Sequence, residues 1–343
     1  MNIAILCGGI SPEREVSLSS AALIANALEE KGHKVCLCDV YVGLGEDTKI
    51  TKELFRGDVK YSHKVSETVP DLDAVISENG GRRELIGPHV IDLCKIADAV
   101  YLALHGGIGE NGQLQAMLDI YGIKYTGSGY IGSLLAMDKD IAKTLMSEAG
   151  VPVPPGFVGS TDDPDIKDKI LKMGLPCVIK PCSCGSSVGV SIIEKERELD
   201  PALEFARKYE KRILVEKKIV GRELTVAILN GRVLPAIEII PKNGYYDYKN
   251  KYQSGLTEEI CPAHITEAEA NLLADETRRV FEALKLKTYA RMDFILAEDG
   301  KAYCLESNTL PGMTPTSLVP QAAAAVGISY PDLCDTIIRL SLE

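Results

Sequence analysis

No stretch of the 343-residue chain approaches the roughly 20 consecutive apolar residues that a membrane-spanning helix needs. The first residues run straight into strand-like Ile3-Ala4-Ile5-Leu6 without a cleavable leader, so the expectation is a cytoplasmic protein with no membrane partner. Internal repeats and low-complexity tracts are absent. Basic residues are in deficit: 38 Lys+Arg against 49 Asp+Glu leave a formal net charge of −11. Such a balance repels a polyanion in bulk and argues against nucleic acid as a partner, although local lysines can still hold a nucleotide. Cysteine is plentiful at ten residues, but the arrangement that disulfides or zinc require is missing. Cys36, Cys94, Cys177 and Cys304 fall inside apparent strands or helices, and neither Cys36/Cys38 nor Cys182/Cys184 has a second pair at zinc-ribbon distance. Reduced thiols are expected.

What is present reads as a multi-domain α/β protein. With 45% hydrophobic and 25% charged residues the chain is globular, and its length suits two or three cores. A strand at 3–7, the turn Gly8-Gly9, a helix near Val16–Lys31 stopped by Gly32 and a strand at Val35–Val40 open an α/β domain. A buried parallel-type strand at Ala99–Leu104 follows, ending at His105-Gly106-Gly107, and ligands collect at such carboxyl ends. Asp138 is placed to cap a helix from Lys139 to Ala149, closed by Gly150 and a proline-rich linker at 151–155. A small α+β lobe follows, with strands at Cys177–Lys180, Gly189–Glu194 and Ile213–Glu216. The last segment carries strands at Glu223–Leu229 and Val233–Ile240, a polar loop at 241–260, a helix near Glu267–Leu284 and a terminal hairpin.

That hairpin carries the sharpest chemistry. The runs Tyr289–Leu296 and Lys301–Leu305 read as strands joined by Glu298-Asp299-Gly300, so Asp293, Glu306 and Asn308 can converge on one cation. Two carboxylates and an amide are hard oxygen donors that suit Mg²⁺ and leave positions open for phosphate. The plain alternative is a sheet edge with solvated acids. Lys180 ends a buried strand and is followed by the glycine-serine loop Gly185-Ser186-Ser187-Val188-Gly189, whose freed backbone N–H groups can bind phosphate oxygens. A lysine ahead of the glycines is not a Walker A arrangement, and the loop alone could be a hairpin turn. Lys139 and Lys251 would spread further positive charge along a triphosphate. Glu15, near the start of the first helix, either complements the helix N-terminus or receives a substrate ammonium group. His105 is either a turn histidine or functional. The tyrosine-rich stretch 245–252 is either a surface loop or a lid over phosphates. Gly127-Ser128-Gly129-Tyr130-Ile131-Gly132 spells a dinucleotide fingerprint, with Glu148 at the distance of the ribose acid. Glu148 sits in a helix rather than at a strand end, so a turn at a helix start is preferred over a nicotinamide site.

Taken together these segments resemble the D-alanine–D-alanine ligases of the ATP-grasp superfamily from residue 3 to about residue 340. The strings are GGISPEREVSLSS (8–20), ALHGGIGENGQLQAMLDIYGIKYTGSG (103–129), MDK (137–139), GSSVGV (185–190), LVEK (214–217), YYDYKNKY (245–252), CPA (261–263), RMDF (291–294) and LESNTLPGMTPTSLVP (305–320). The resemblance implies a three-domain ATP-grasp fold: an N-terminal open parallel-sheet domain (1–138), a central lobe (139–220) and a C-terminal lobe (221–343). It implies ATP-dependent joining of two D-alanines through an acyl phosphate, for peptidoglycan precursor synthesis. Glu15 would hold the first ammonium and bond Ser186 and Tyr252; Arg291 and the backbone N–H of Gly312 would stabilise the oxyanion; Ser317 and Leu318, with His105 nearby, would receive the second carboxylate. Lys139, Lys180, Ser187 and Lys251 would meet phosphates, and Glu216, Lys217, Ile219 and Glu223 would line the adenine and ribose pocket. Asp293, Glu306 and Asn308 would bind two Mg²⁺ ions, with Mn²⁺ as a substitute and Glu306 bridging. A homodimer is implied. Sibling enzymes join D-alanine to D-serine or D-lactate, and Tyr252 favours the dipeptide. A catalytically inert nucleotide-binding scaffold is the alternative of another class, which Arg291 together with three metal ligands argues against. Ser183-Cys184 replaces the charged pair that many members carry before GSSVG.

Overall fold

The structure is a computed structural model that describes residues 1–65, 70–185, 188–242 and 257–343. Among these residues the strands form three sheets. The first has β1 (Asn2–Cys7) between β2 (Lys34–Asp39) and β3 (Ala99–Leu102), both parallel to it. Ile3, Ala4, Ile5 and Leu6 are all fully buried, which is why β1 reads as an unbroken apolar run rather than an alternating one. The second sheet is antiparallel, ordered β4 (Gly156–Ser160), β7 (Arg212–Lys217), β5 (Cys177–Pro181), β6 (Ser191–Ile193). The third runs β11 (Thr257–Ile260), β10 (Ile237–Pro241), β8 (Gly221–Leu229), β12 (Tyr289–Ala297), β13 (Ala302–Asn308), with the short β9 (Arg232–Val233) on β8.

Three local outcomes differ from the sequence expectation. The single strand expected over Val233–Ile240 is split into β9 and β10, since Pro235 cannot donate to a ladder. Strand β11 ends the segment read as a polar loop, and β4 begins directly after the proline-rich linker. The expected helix at 139 is confirmed: Asp138 Oδ1 accepts the backbone N–H groups of Asp140 and Ile141 at 3.1 and 3.2 Å, and the helix runs Lys139–Glu148.

The three sheets draw on residues 2–102, 156–217 and 221–308, and helices pack across these spans. Ala142 and Met146 of the helix Lys139–Glu148 pack with Met292 and Phe294 on the back of the third sheet, not with the second. At the other end of the chain, Leu333, Ile337 and Ile338 of the helix Tyr330–Leu340 join the core of β1–β3. Salt bridges Lys31–Asp332 (2.6 Å) and His33–Asp335 (2.7 Å) fasten the same contact. The helix at 139 thus stands on the third sheet while its lysines reach toward the second.

Candidate active site

Strand β12 alternates. Ala290, Met292, Phe294 and Leu296 enter the core behind the sheet, leaving Arg291, Asp293 and Ile295 on the front. The antiparallel register sets Arg291 opposite Asn308 and Asp293 opposite Glu306, so all four share one face. Between Asp293 and Phe294 the register slips by one residue of β13, a bulge that turns both Leu305 and Glu306 toward the front. Arg291 grips Asp293 side-on, with Nε–Oδ1 and Nη2–Oδ2 both 2.9 Å. Thr225 Oγ1 donates to Asp293 Oδ1 (2.6 Å) and Asn308 Nδ2 to Oδ2 (3.1 Å).

Two cavities meet at this ladder. A cleft of about 640 Å³ between the second and third sheets holds Asp293 and Glu306, with Lys139, Lys180, Glu216, Lys217, Ile219 and Glu223 on its walls. Its apolar lining includes Val178, Ile192, Ile239 and Ile295, a surface suited to a flat base. A second cavity of about 250 Å³ holds Arg291 and Asn308, together with His105, Gly312, Ser317 and Leu318. One paired rung opens into each.

Lysines crowd the cleft floor. The Glu216 carboxylate, nearly fully buried, lies 2.6 Å from Lys143 Nζ and 2.5 Å from Lys180 Nζ. Burial pushes Glu216 upward in pKa, but the two ammonium groups hold it below the ordinary value. Burial pushes Lys143 down to about 8, while for Lys180 the pull of Glu216 outweighs burial and raises it. Lys143 was not singled out from the sequence; its helical spacing of four from Lys139 was the available signal. Lys139 Nζ donates to the carbonyl of Cys184 (2.5 Å) and stands 3.8 Å from Glu306. At the loop stem, Ser183 N–H and Oγ both donate to Glu210 Oε2, at 2.8 and 2.7 Å.

The smaller cavity takes one of the two acids at the start of the first helix. Glu13, not Glu15, lines it: a Cβ placed on Gly106 or Gly185 would come within 3.0 or 3.4 Å of Glu13 Oε2. Glu15 instead bonds His63 Nε2 at 2.9 Å. The helix begins at Arg14, and two residues of helix turn a side chain about 200°, so the two acids face opposite ways. Arg14 anchors the turn, with Nη1 donating to Gly9 O (2.8 Å) and Nη2 meeting Asp39 (2.5 Å). His105 is buried, its Nδ1 3.0 Å from the carbonyl of Leu310, and burial lowers its pKa against the opposing effect of Glu13. Ser317 Oγ accepts from Thr314 N at 3.1 Å. Glu110 and Glu259 also line this cavity and were not singled out from the sequence. Ser186, Ser187, Lys251 and Tyr252 lie outside the described residues.

Among the described residues no group of three or more His, Cys, Asp or Glu side chains could cage a metal. A cation here would draw on two carboxylates, the amide oxygen of Asn308 and phosphate oxygens. That donor set fits Mg²⁺ or Mn²⁺.

Glu110 Oε2 accepts from Gly106 N (2.7 Å) and Oε1 from Leu310 N (3.3 Å); burial, then Glu13, raises its pKa to about 7. A raised carboxyl binds its proton more tightly when folded, so its contribution to stability declines as pH rises from the unfolded value of about 4.3 through 7. Denaturant titrations across that window should show a smaller decline for Glu110→Gln than for the parent protein; parallel pH profiles would contradict the assignment.

The description "D-ala D-ala ligase N-terminus" matches residues 2–128, and "D-ala D-ala ligase C-terminus" matches residues 145–339. The chain is 41% identical to the D-alanine–D-alanine ligase of Pediococcus pentosaceus, over 98% of this chain and 97% of that one. It is 38% identical to the ligase of Halalkalibacterium halodurans, with both chains fully covered. Among solved structures, the Bacillus anthracis D-alanine–D-alanine ligase complexed with ATP superposes with a TM-score of 0.76 at 30% identity, covering 100% of this chain and 97% of that one. The VanG D-Ala:D-Ser ligase of Enterococcus faecalis gives 0.77 at 26% identity, with 99% of each chain covered. The three-sheet architecture is thus the expected ATP-grasp fold, and the chain belongs to the D-alanine–D-alanine ligase family.

Proposed function

We propose that the protein joins two D-alanine molecules with ATP as phosphoryl donor, supplying a dipeptide for peptidoglycan precursors in the cytoplasm. The observation that carries this reading is the meeting of the two cavities at Arg291–Asp293. A nucleotide along the lysine-lined cleft would point its γ-phosphate at the rung Asp293/Glu306, beside the rung Arg291/Asn308 that opens on the amino-acid cavity.

A carboxylate is a poor electrophile. Transfer of the γ-phosphoryl group to a carboxylate oxygen of the first D-alanine releases ADP and gives an acyl phosphate. The neutral amine of the second D-alanine then attacks the acyl carbon. The tetrahedral adduct expels phosphate, and the proton lost by the attacking nitrogen passes to a phosphate oxygen as the amide forms. Lys139 and Lys180 meet phosphate oxygens, while Lys217, Ile219 and Glu223 line the base and ribose end; Lys251 and Ser187 belong to the same phosphate set. Asp293, Glu306 and Asn308 would hold two Mg²⁺ ions, whose charge offsets that of the triphosphate. Glu13, in place of Glu15, receives the ammonium of the first D-alanine, with Ser186 and Tyr252 assigned to the closing contacts. Arg291 and the N–H of Gly312 face the developing oxyanion. Ser317, Leu318 and His105 take the carboxylate of the second substrate. The exposed apolar side chains of Tyr130, Ile131 and Leu134 on one helix supply a surface for a homodimer.

Phosphate release with D-alanine alone is expected to proceed, with no preference for a mixed product when D-serine or D-lactate is added; a mixed product in excess would reassign the second substrate. Arg291→Ala should lower kcat about 10²–10³-fold with ATP binding retained, because the oxyanion donor acts only in the transition state. Unaltered turnover would remove that role. Glu13→Gln should cut kcat/KM for D-alanine about tenfold or more, the scale of a lost charge-assisted bond, whereas Glu15→Gln should stay within about threefold. The reverse order in steady-state kinetics would restore the acid at 15.

A further inference from the structure

The buried cluster Lys143–Glu216–Lys180 has an unequal charge balance, two ammonium groups to one carboxylate. Lys180 and Glu216 belong to one sheet: Val178 of β5 stands opposite Glu216 of β7, so Lys180 is the diagonal neighbour on the same face. Lys143 comes from a different element, the helix standing on the back of the third sheet. Its Nζ is 2.6 Å from Glu216 Oε1 on one cleft wall and 3.0 Å from the carbonyl of Cys304 on the other, just ahead of the bulge that presents Glu306. Lys143, Lys180 and Glu216 are all buried, and Lys180 and Glu216 line the cleft while Lys143 does not.

We propose that Lys143 is a positioning residue for nucleotide binding: it occupies one oxygen of Glu216, leaves the cluster with a net charge of +1, and so keeps the Lys180 ammonium available to the triphosphate. Without it, Lys180 and Glu216 form a balanced pair, and that pair presents no net charge to phosphate. In a low-dielectric site that difference falls on the phosphates and not on the base. The inference rests on the nucleotide reading of the cleft, and D-alanine-dependent phosphate release by the unmodified protein tests that reading separately.

The experiment measures binding of Mg-ATP and of adenosine by the full-length protein, using calorimetry or ligand competition, with thermal melting as a check on folding. Lys143→Met, close in volume and uncharged, should weaken ATP about tenfold while adenosine affinity stays within about twofold, the pattern of a lost charge interaction. Lys143→Arg should recover most of the ATP affinity. Adding Glu216→Gln to Lys143→Met removes the carboxylate as well, returns the net charge to that of Lys180 alone, and should regain ATP affinity relative to the single variant once each is referred to its adenosine affinity, which absorbs any contact of Glu216 with the base. Equal loss for ATP and adenosine would reduce Lys143 to a packing residue. An unchanged ATP affinity in Lys143→Met, or a double variant whose ATP affinity relative to adenosine falls below that of the single one, would overturn the charge-balance argument.

Discussion

The site depends on one ion pair placed where two cavities touch. Arg291 and Asp293 are two residues apart on a strand, so the pleat puts both on one face, and the side-on geometry uses both carboxylate oxygens. Each side chain is only 12% and 11% exposed, in a setting where a charge stripped of its partner costs about 3–5 kcal/mol. Thr225 and Asn308 complete the coordination of Asp293 from β8 and β13, locking the pair to both neighbouring strands. Under the proposed reaction, a group passing from one cavity to the other would cross at this pair, and the acyl phosphate would form between the walls of both cavities.

The helix Lys139–Glu148 ties this pair to the larger cleft. Asp138 caps it and bridges to Arg212 of β7 (2.5 Å), its first residue reaches the loop carbonyl of Cys184, and its fifth reaches Glu216 and Cys304. One helical turn therefore holds the loop at Cys184, the second sheet and the bulged strand of the third in a common frame. Its apolar side, Ala142 and Met146, fixes that frame to the core behind Asp293. Because ammonium groups rather than apolar contacts bridge the cleft, the two walls are joined by charge at their floor and open to a ligand above it.

Legibility in the sequence followed locality. The pairing of the β12–β13 hairpin was readable because an alternating strand, a Glu-Asp-Gly turn and a second strand are close neighbours in the chain. The cap at Asp138 was readable for the same reason. The choice between Glu13 and Glu15 was not: SPERE carries two acids, and which one faces the cavity depends on the residue where the helix starts, a boundary that pattern reading places only to within a few residues. Glu110, Glu259 and Lys143 were passed over because each acquires its role from partners far along the chain: Leu310, Gln321 and Glu216 respectively. The strand over Val233–Ile240 went wrong because apolar continuity outweighed Pro235.

The sequence by itself determined the elements and their faces: the buried run of β1, the period-two strand that sets Arg291 and Asp293 side by side, and the strings that mark the family. Those follow from hydrophobic period and turn chemistry, which act over a few residues. Tertiary structure alone decided that the helix at 139 packs on one sheet while its lysines serve another, and that two lysines share one buried carboxylate. It also decided that the two cavities meet at the Arg291–Asp293 pair, on adjacent front-facing rungs. The physical reason is that desolvation and charge balance are set by what surrounds a group in space, and for Glu216 those surroundings come from three separate stretches of chain.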